Sequence, residues 1–261
     1  MDAGPPGQER SSEPRVRLGE RVLRDGRLAV YRHPLIVRLW HWLNALCLFV
    51  LLVSGLQILN AHPALYWGSS SDFTNPWLHF GGGDSPPFPS WITLPPWQDL
   101  AAGRHWHLFF AWIFAASGLT YAIYAIASRR VRRELCPRRG ELRHLGRSFA
   151  DHLRLKFPEG EAARHYNPLQ KLSYLVVIFG LLPLMVLTGL TMSPAMDARF
   201  HFLPLMFGGR QSARTVHFLT ACTIAAFFVI HLLALLAAGP IREMRAILTG
   251  WFVIGRRKGE S

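Results

Sequence analysis

The sequence predicts an all-α membrane protein, a bundle of four transmembrane helices with both termini in the cytoplasm. Half of its 261 residues are hydrophobic, and four long stretches contain no Asp, Glu, Lys or Arg. These stretches are 39–61, 105–127, 172–196 and 215–241. Each is long enough to cross the roughly 30 Å hydrocarbon core of a bilayer as a helix. We therefore expect a lipid bilayer to surround most of the chain.

The basic residues predict the orientation of this bundle. The chain has 29 Lys and Arg against 16 Asp and Glu, a net charge of +13. All but four of these basic residues precede the first stretch, separate the second from the third, or follow the fourth. The four exceptions are Arg104, Arg199, Arg210 and Arg214. Because cytoplasmic loops are enriched in Lys and Arg, both termini are expected in the cytoplasm. The charge is not spread over an even basic surface, so we expect no binding to nucleic acid.

The spans divide the chain into three predicted parts. Residues 1–34 are polar, charged and rich in Gly and Pro, which indicates a flexible cytoplasmic tail without a cleavable signal peptide. Residues 35–238 form the membrane domain, and residues 239–261 form a cytoplasmic C-terminal tail. An aromatic outer loop over 60–103 is expected to lie at the membrane–water interface, with partner docking as the alternative. A basic cytoplasmic loop over 129–168 could hold short amphipathic helices on anionic headgroups.

Four histidines inside the spans are candidate metal ligands. The spacing of His217 and His231 in the fourth span means that they leave one helix face about four turns apart. Because the spans alternate in direction, His107 and His217 lie near the outer surface, and His41 and His231 near the inner one. Ionisable side chains inside a bilayer are costly and mark functional sites. Histidine pairs on facing helices of a bundle commonly ligate haem iron.

A second histidine, His105, competes with His107 for the role in the second span. Two positions correspond to about 200° of rotation, so the two side chains lie on different faces. The face of His107 includes small residues such as Gly118, which leave room for a flat macrocycle, whereas the face of His105 suits lipid. In the first span, Gly55 follows His41 by the same interval that separates the two histidines of the fourth span. It leaves space for the outer haem.

Other metals fit this pattern less well than haem iron. Zinc requires three or four ligands in one cluster, and copper lacks its usual third ligand here. Each histidine could instead form only a hydrogen bond between helices. Four histidines matched in depth, two of them on one face of the fourth span, favour two haem groups. No cofactor role is assigned to the histidines at 33, 62, 79, 144, 152, 165 and 201.

Several motifs carry a resemblance to a known family. They are residues 38–44 (RLWHWLN), 104–107 (RHWH), 189–194 (GLTMSP) and the pair His217 and His231. Over residues 31–247 the sequence resembles the prokaryotic di-haem cytochrome b family. Its members are membrane subunits of nickel–iron hydrogenase, formate dehydrogenase and thiosulfate reductase. The resemblance implies that His107 and His217 hold an outer haem b, and that His41 and His231 hold an inner haem b. It also implies a periplasmic oxidoreductase partner of the molybdopterin type.

We therefore expect an electron-transfer subunit of a respiratory chain in the bacterial inner membrane, with quinone as the second redox partner near the inner haem. Arg38 and Arg214 are candidate partners for haem propionates, with interfacial snorkelling as the alternative. No residue has the pattern of a hydrolytic or acid–base catalyst, so substrate chemistry is expected in a partner subunit. Two alternatives remain open. One is a self-contained cytochrome b that works as a quinone oxidoreductase on a small oxidant such as superoxide. The other is a haem-free transporter or scaffold.

Overall fold

The computed structural model describes residues 19–82, 85–129 and 168–254, together with the single positions 131, 136, 140 and 146. In these residues four helices are long and apolar enough to cross a membrane. They are α1 (Leu35–Ala61), α2 (Leu100–Ala127), α3 (Pro168–Val176, a π-helical turn Val177–Leu181, and Leu182–Met192) and α6 (Arg210–Ala238). The prediction of four helices that are long and apolar enough to span a membrane is confirmed.

Shorter elements connect and flank these helices. The short helices are α4 (Pro194–Arg199), α5 (Phe202–Met206) and α7 (Pro240–Thr249), and a 3₁₀ turn covers Ser90–Ile92. The strands are β1 (Glu20–Val22), β2 (Leu28–Tyr31), β3 (Ala64–Leu65), β4 (Leu78–His79) and β5 (Trp251–Ile254). Antiparallel pairing gives one sheet in the order β1-β2-β5 and a second of β3 and β4. The predicted helices of the loop over 129–168 lie outside the described residues.

Local chemistry determines where the long helices begin, change and end. The carboxylate of Asp99 caps α2 by accepting the N–H of Ala102 at 2.9 Å, which satisfies one of the free donors of the first turn. In α3 the N–H of Leu182 donates to the carbonyl of Val177, five residues back. This wide turn directly precedes Pro183, which has no N–H to donate. Helix α6 ends at Gly239, which has a φ of 106°.

The four long helices form two closely packed pairs, α1 with α2 and α3 with α6. One buried cluster joins the pairs and takes one residue from each helix. Its members are Cys47, Phe114, Leu182 and Ile224. We call the end of the bundle that carries β1, β2, α7 and β5 the terminal end. We call the end that carries residues 62–99 and 193–209 the loop end.

The terminal end is more ordered than the sequence predicts. Residues 20–31 belong to the predicted flexible tail, yet they form β1 and β2, and β2 pairs with β5 in the predicted C-terminal tail. Phe252 and Ala246 form a small core against Leu28 and Val30. The flexible-tail prediction therefore does not describe these residues. The reason is that a short strand such as β2 becomes stable only through a partner, here one near the opposite end of the chain, which composition does not reveal.

The loop end is held against the start of α6 by hydrogen bonds. The N–H of Gly68 donates to Ser212 Oγ at 2.7 Å, and Thr215 Oγ1 donates to the carbonyl of Tyr66 at 2.6 Å. The side-chain amide of Asn60 both donates to and accepts from the backbone of Phe88, at 2.9 Å each. Five aromatic side chains remain exposed on this loop: Trp67, Phe73, Trp77, Trp91 and Trp97. The loop is therefore a folded cover with an aromatic outer surface.

Candidate functional site

Two pairs of histidine rings face each other between the helices. At the loop end, His107 of α2 and His217 of α6 have ring centres 6.3 Å apart and planes inclined by 61°. At the terminal end, His41 of α1 and His231 of α6 have ring centres 6.5 Å apart and planes inclined by 55°. These are the pairs that the sequence predicts from depth, and α6 contributes one ring to each.

The ring separations fit two ligands of one metal ion. A metal–imidazole bond is about 2.0–2.1 Å long, and the nitrogen lies about 1.1 Å from the ring centre. Two rings on opposite sides of one metal therefore have centres about 6.3 Å apart. A direct hydrogen bond between the rings would bring their centres to about 5.1 Å. Both observed distances match the shared metal and exceed the hydrogen-bonded arrangement.

Hydrogen bonds determine which nitrogen is available in the loop-end pair. Ser54 Oγ donates to the carbonyl of Val50 at 2.6 Å, so toward His107 Nδ1, 3.0 Å away, it acts as the acceptor. Thr188 Oγ1 donates to the carbonyl of Leu184 at 2.7 Å and accepts from Nδ1 of His217 at 2.9 Å. In a neutral imidazole with its proton on Nδ1, Nε2 carries the free electron pair. Both loop-end rings are thus held in the tautomer that binds a metal through Nε2.

A glycine lies against each loop-end ring. A Cβ atom added to Gly55 would stand 3.5 Å from Cε1 of His107, and one added to Gly189 would stand 3.5 Å from Cε1 of His217. The absent side chains let α1 and α3 approach the edges of the two rings. Gly55 therefore lets α1 pack against the ring of His107. This role is additional to the space for haem that its position in the sequence suggests.

The terminal-end pair has different surroundings. His41 Nδ1 is buried, and none of the described residues forms a hydrogen bond with it. The ring of His41 meets the edge of Trp42 at 5.2 Å, and the ring of His231 stacks on Phe227 at 6.1 Å. Each ring of this pair therefore contacts an aromatic side chain of its own helix, whereas each loop-end ring has a hydroxyl acceptor.

Other potential metal ligands in the described residues do not compete with the two imidazole pairs. Within the described part of the chain, no three His, Cys, Asp or Glu side chains come close enough to hold one metal ion. His105 is exposed on the outside of α2, on the same side as the exposed Leu108, Trp112 and Leu119. A zinc-type cluster is therefore not formed by these residues, and His105 takes no part in either pair.

The comparison with known proteins identifies the family. Residues 32–250 match the family described as prokaryotic cytochrome b561. The chain belongs to the prokaryotic cytochrome b561 family. Membership in a cytochrome b family implies haem b as the cofactor, and the two imidazole pairs have the donor atoms and the separation that bis-histidine haem ligation requires.

Two relatives of this cytochrome b are named as subunits of oxidoreductase complexes. A protein of Azospira oryzae, named as the candidate protein-methionine-sulfoxide reductase subunit YedZ1, is 30% identical over 220 residues. The match covers 84% of this chain and 96% of that protein. A Cupriavidus necator protein, named as a probable Ni/Fe-hydrogenase B-type cytochrome subunit, is 27% identical over 216 residues, which are 78% of this chain and 77% of that protein. No solved structure matches the chain.

The two arginines predicted near the haem groups of this cytochrome b bind backbone carbonyls. Arg38 donates to the carbonyls of Ile247 and Leu248 at the end of α7. Arg214 donates to the carbonyl of His62, just beyond α1. Burial lowers the pKa of His62, and the nearby positive charges of Arg214 and Arg104 lower it further. Both guanidinium groups therefore join helix ends in this structure.

Ser54 and Thr188 are site residues that the sequence alone does not predict. Hydroxyl side chains are common in membrane helices, where they donate to the carbonyl four residues back, so single occurrences carry little information. The recurrence of a hydroxyl residue followed by Gly and Leu, at 54–56 and at 188–190, would have singled them out. Gly189 belongs to the motif at 189–194, but its position against His217 depends on how α3 and α6 pack.

Proposed function

We propose that this cytochrome b is a di-haem subunit that carries electrons across the bacterial inner membrane. It would connect a periplasmic oxidoreductase of the molybdopterin type with the quinone pool. The observation that carries the proposal is the presence of two facing histidine pairs at two depths of one bundle, each with a ring separation suited to a shared iron. Membership in the family and the complexes named for the relatives support it.

The proposal assigns a role to each of the four histidines. His107 and His217 would hold haem b at the loop end, and His41 and His231 would hold haem b at the terminal end. Haem b bound in these positions supplies one-electron exchange between ferric and ferrous iron. The spacing of His217 and His231 in the continuous helix α6 separates the two pairs by roughly 21 Å along the helix axis. The bundle thus offers two redox sites inside an apolar layer that is too thick for one side chain to span.

The basic residues support an orientation for this path. The many Lys and Arg near the terminal end favour the cytoplasm for that end, which places the loop end in the periplasm. In the proposal, the oxidoreductase partner docks at the loop end and quinone reacts near His41 and His231. No substrate chemistry is assigned to the chain itself.

Optical spectra of the purified full-length protein test the haem assignment. A reduced-minus-oxidised spectrum with b-type bands and two haems per chain is expected. His217→Ala should remove the loop-end haem and His231→Ala the terminal-end haem, each leaving the other bound. Absence of b-type bands in the unsubstituted protein, or two haems in both variants, would contradict the proposal and favour a haem-free role for the histidines.

Purification from native membranes tests the partner assignment. The expected result is co-purification of a molybdopterin-containing oxidoreductase and reduction of quinone when its substrate is supplied. A chain that purifies alone and reduces quinone with electrons taken from superoxide would support the self-contained alternative instead.

A further inference from the structure

A short internal repeat brings the same chemistry to both loop-end histidines. Residues 51–58 of α1 read LLVSGLQI, and residues 185–192 of α3 read MVLTGLTM. The aligned segments place a hydroxyl at Ser54 and Thr188, a glycine at 55 and 189, and a second buried polar residue at 57 and 191. Each segment belongs to the first helix of one of the two packed helix pairs.

The two segments make matching contacts. Ser54 is fully buried and bonds to Nδ1 of His107, on α2, while Thr188 is fully buried and bonds to Nδ1 of His217, on α6. Each hydroxyl also donates to the carbonyl four residues back and approaches the carbonyl three residues back, at 3.3 Å for Ser54 and 3.1 Å for Thr188. A Cβ atom added to either equivalent glycine would come within 3.5 Å of the corresponding ring. Helices α1 and α3 therefore present the same arrangement of a hydroxyl and a glycine to the two candidate ligands at the loop end, His107 and His217.

We infer that Ser54 and Thr188 are positioning residues that orient the loop-end imidazoles and lower the reduction potential of the haem they hold. The inference rests on the proposed function. An Nδ1–H that donates to an oxygen makes the imidazole a stronger donor through Nε2. A stronger axial donor stabilises ferric iron relative to ferrous iron, which lowers the potential.

The terminal-end pair provides the internal contrast. His41 Nδ1 has no hydrogen-bond acceptor among the described residues, and the two rings contact the aromatic side chains of Trp42 and Phe227. The hydroxyls of Ser54 and Thr188 therefore act on one haem only. Their removal is expected to change the loop-end haem and to leave the terminal-end haem at its original potential.

A structural role in the helix alone is separable from this effect. Thr191 lies three residues after Thr188 in α3, is equally buried, and donates to the carbonyl of Leu187 at 2.8 Å. Among the residues that the structure describes, it bonds to no histidine. Like Thr188→Val, Thr191→Val therefore removes a threonine hydroxyl and its hydrogen bond to the carbonyl four residues back. It removes no hydrogen bond to an imidazole.

Redox titration of the full-length, haem-loaded protein tests the inference. The variants are Ser54→Ala and Thr188→Val, the hydroxyl-preserving Ser54→Thr and Thr188→Ser, and the control Thr191→Val. Each is titrated by visible and electron paramagnetic resonance spectroscopy, in the unsubstituted background and in His231→Ala, which isolates the loop-end haem. Loss of a hydrogen-bond partner of a metal ligand commonly costs about 10–100-fold in metal affinity or activity, and we take the lower figure. We expect a midpoint rise of up to about 59 mV in Ser54→Ala and Thr188→Val, which is a tenfold change for one electron.

The possible outcomes distinguish an effect on the haem ligands from a structural role in the helix alone. A rise confined to the loop-end haem supports the inference, provided that the hydroxyl-preserving variants and Thr191→Val keep the original potential. Loss of the loop-end haem alone in Ser54→Ala, with full loading of Ser54→Thr, supports it as well. Two haems at unchanged potentials in every variant would overturn the inference and leave the proposed function intact, as would an equal effect of Thr191→Val. A protein without b-type bands before any substitution would overturn the proposed function itself.

Discussion

Two histidines near the start of α2, His105 and His107, have opposite surroundings. The ring of His107 lies between helices, bonded to Ser54 and facing His217. His105 is exposed beside other outward-facing residues. The helical rotation of about 200° over two positions is the cause of the difference. A matched pair of substitutions at these positions therefore separates ligation from the general effect of losing an imidazole.

We predict that His107→Ala removes one of two haems and that His105→Ala retains both. The reason is that only the ring of His107 faces a partner imidazole, that of His217. Haem content per chain and the reduced-minus-oxidised spectrum measure the result. Loss of a haem in His105→Ala with full loading of His107→Ala would reverse the assignment of the ligand in α2.

At the scale of helices, α1 and α2 make a close approach at Gly103. A Cβ atom added there would stand 2.7 Å from Cγ of Gln57, closer than two such atoms approach in folded proteins. Gln57 cannot move freely because its side-chain amide donates to the carbonyl of Trp97 at 2.8 Å. This contact holds the loop-end cover and the first helix pair in one arrangement.

We predict that Gly103→Ala lowers the free energy of unfolding by about 1–3 kcal/mol, the usual cost of overpacking. In a Gln57→Ala background the same substitution should cost less, because the Cγ atom that the new methyl group would meet is then absent. Thermal denaturation in detergent of the four proteins of this double-mutant cycle measures the coupling. An equal cost of Gly103→Ala in both backgrounds would show that the contact with Gln57 does not limit the helix approach.

The sheet at the terminal end depends on another glycine. Gly250 has a φ of 88°, and an added Cβ would stand 2.7 Å from the ring of Tyr31 and 2.8 Å from the carbonyl of His33. The carbonyl of Gly250 also accepts the N–H groups of Arg32 and His33. The turn between α7 and β5 therefore packs against the residues that lead into α1.

We predict that Gly250→Ala loosens this sheet while Gly26→Ala does so much less. Both glycines have positive φ, so both substitutions carry a backbone cost of about 1–2 kcal/mol. Only Gly250 adds steric overlap, since nothing lies within 4 Å of a Cβ at Gly26. Hydrogen exchange of the β2 and β5 amides in nanodiscs measures the difference. Equal protection in the two variants would contradict a role for close contact at Gly250.

For the whole molecule, the proposed orientation places the two ends of the bundle on opposite sides of the membrane. We predict that a cysteine at Ser71, on the loop end, reacts with an impermeant thiol reagent in intact spheroplasts. A cysteine at Arg24, in the β1–β2 turn, should react only after permeabilisation. Both are made in a background without the native cysteines at 47, 136 and 222. The reverse pattern would invert the proposed direction across the membrane.

Several features of the fold could be predicted from the sequence. The four spans follow from long uncharged stretches, because unpaired charges are costly in hydrocarbon. The pairing of histidines by depth follows from the alternation of the spans and from the spacing of His217 and His231 in α6, both of which are local properties of the chain. The strands at the terminal end could not be predicted in this way, since β2 is stabilised by β5 across almost the whole sequence.

The sequence by itself determined that apolar helices cross a membrane and that histidines recur at two depths, because helical rise and hydrophobicity act along the chain. Only the tertiary structure decided what surrounds each ring: hydroxyls and glycines of α1 and α3 at the loop end, and aromatic side chains at the terminal end. The physical reason is that hydrogen bonds and van der Waals contacts act over a few ångströms. Which helices come within that range is a property of the packed bundle and not of any one segment.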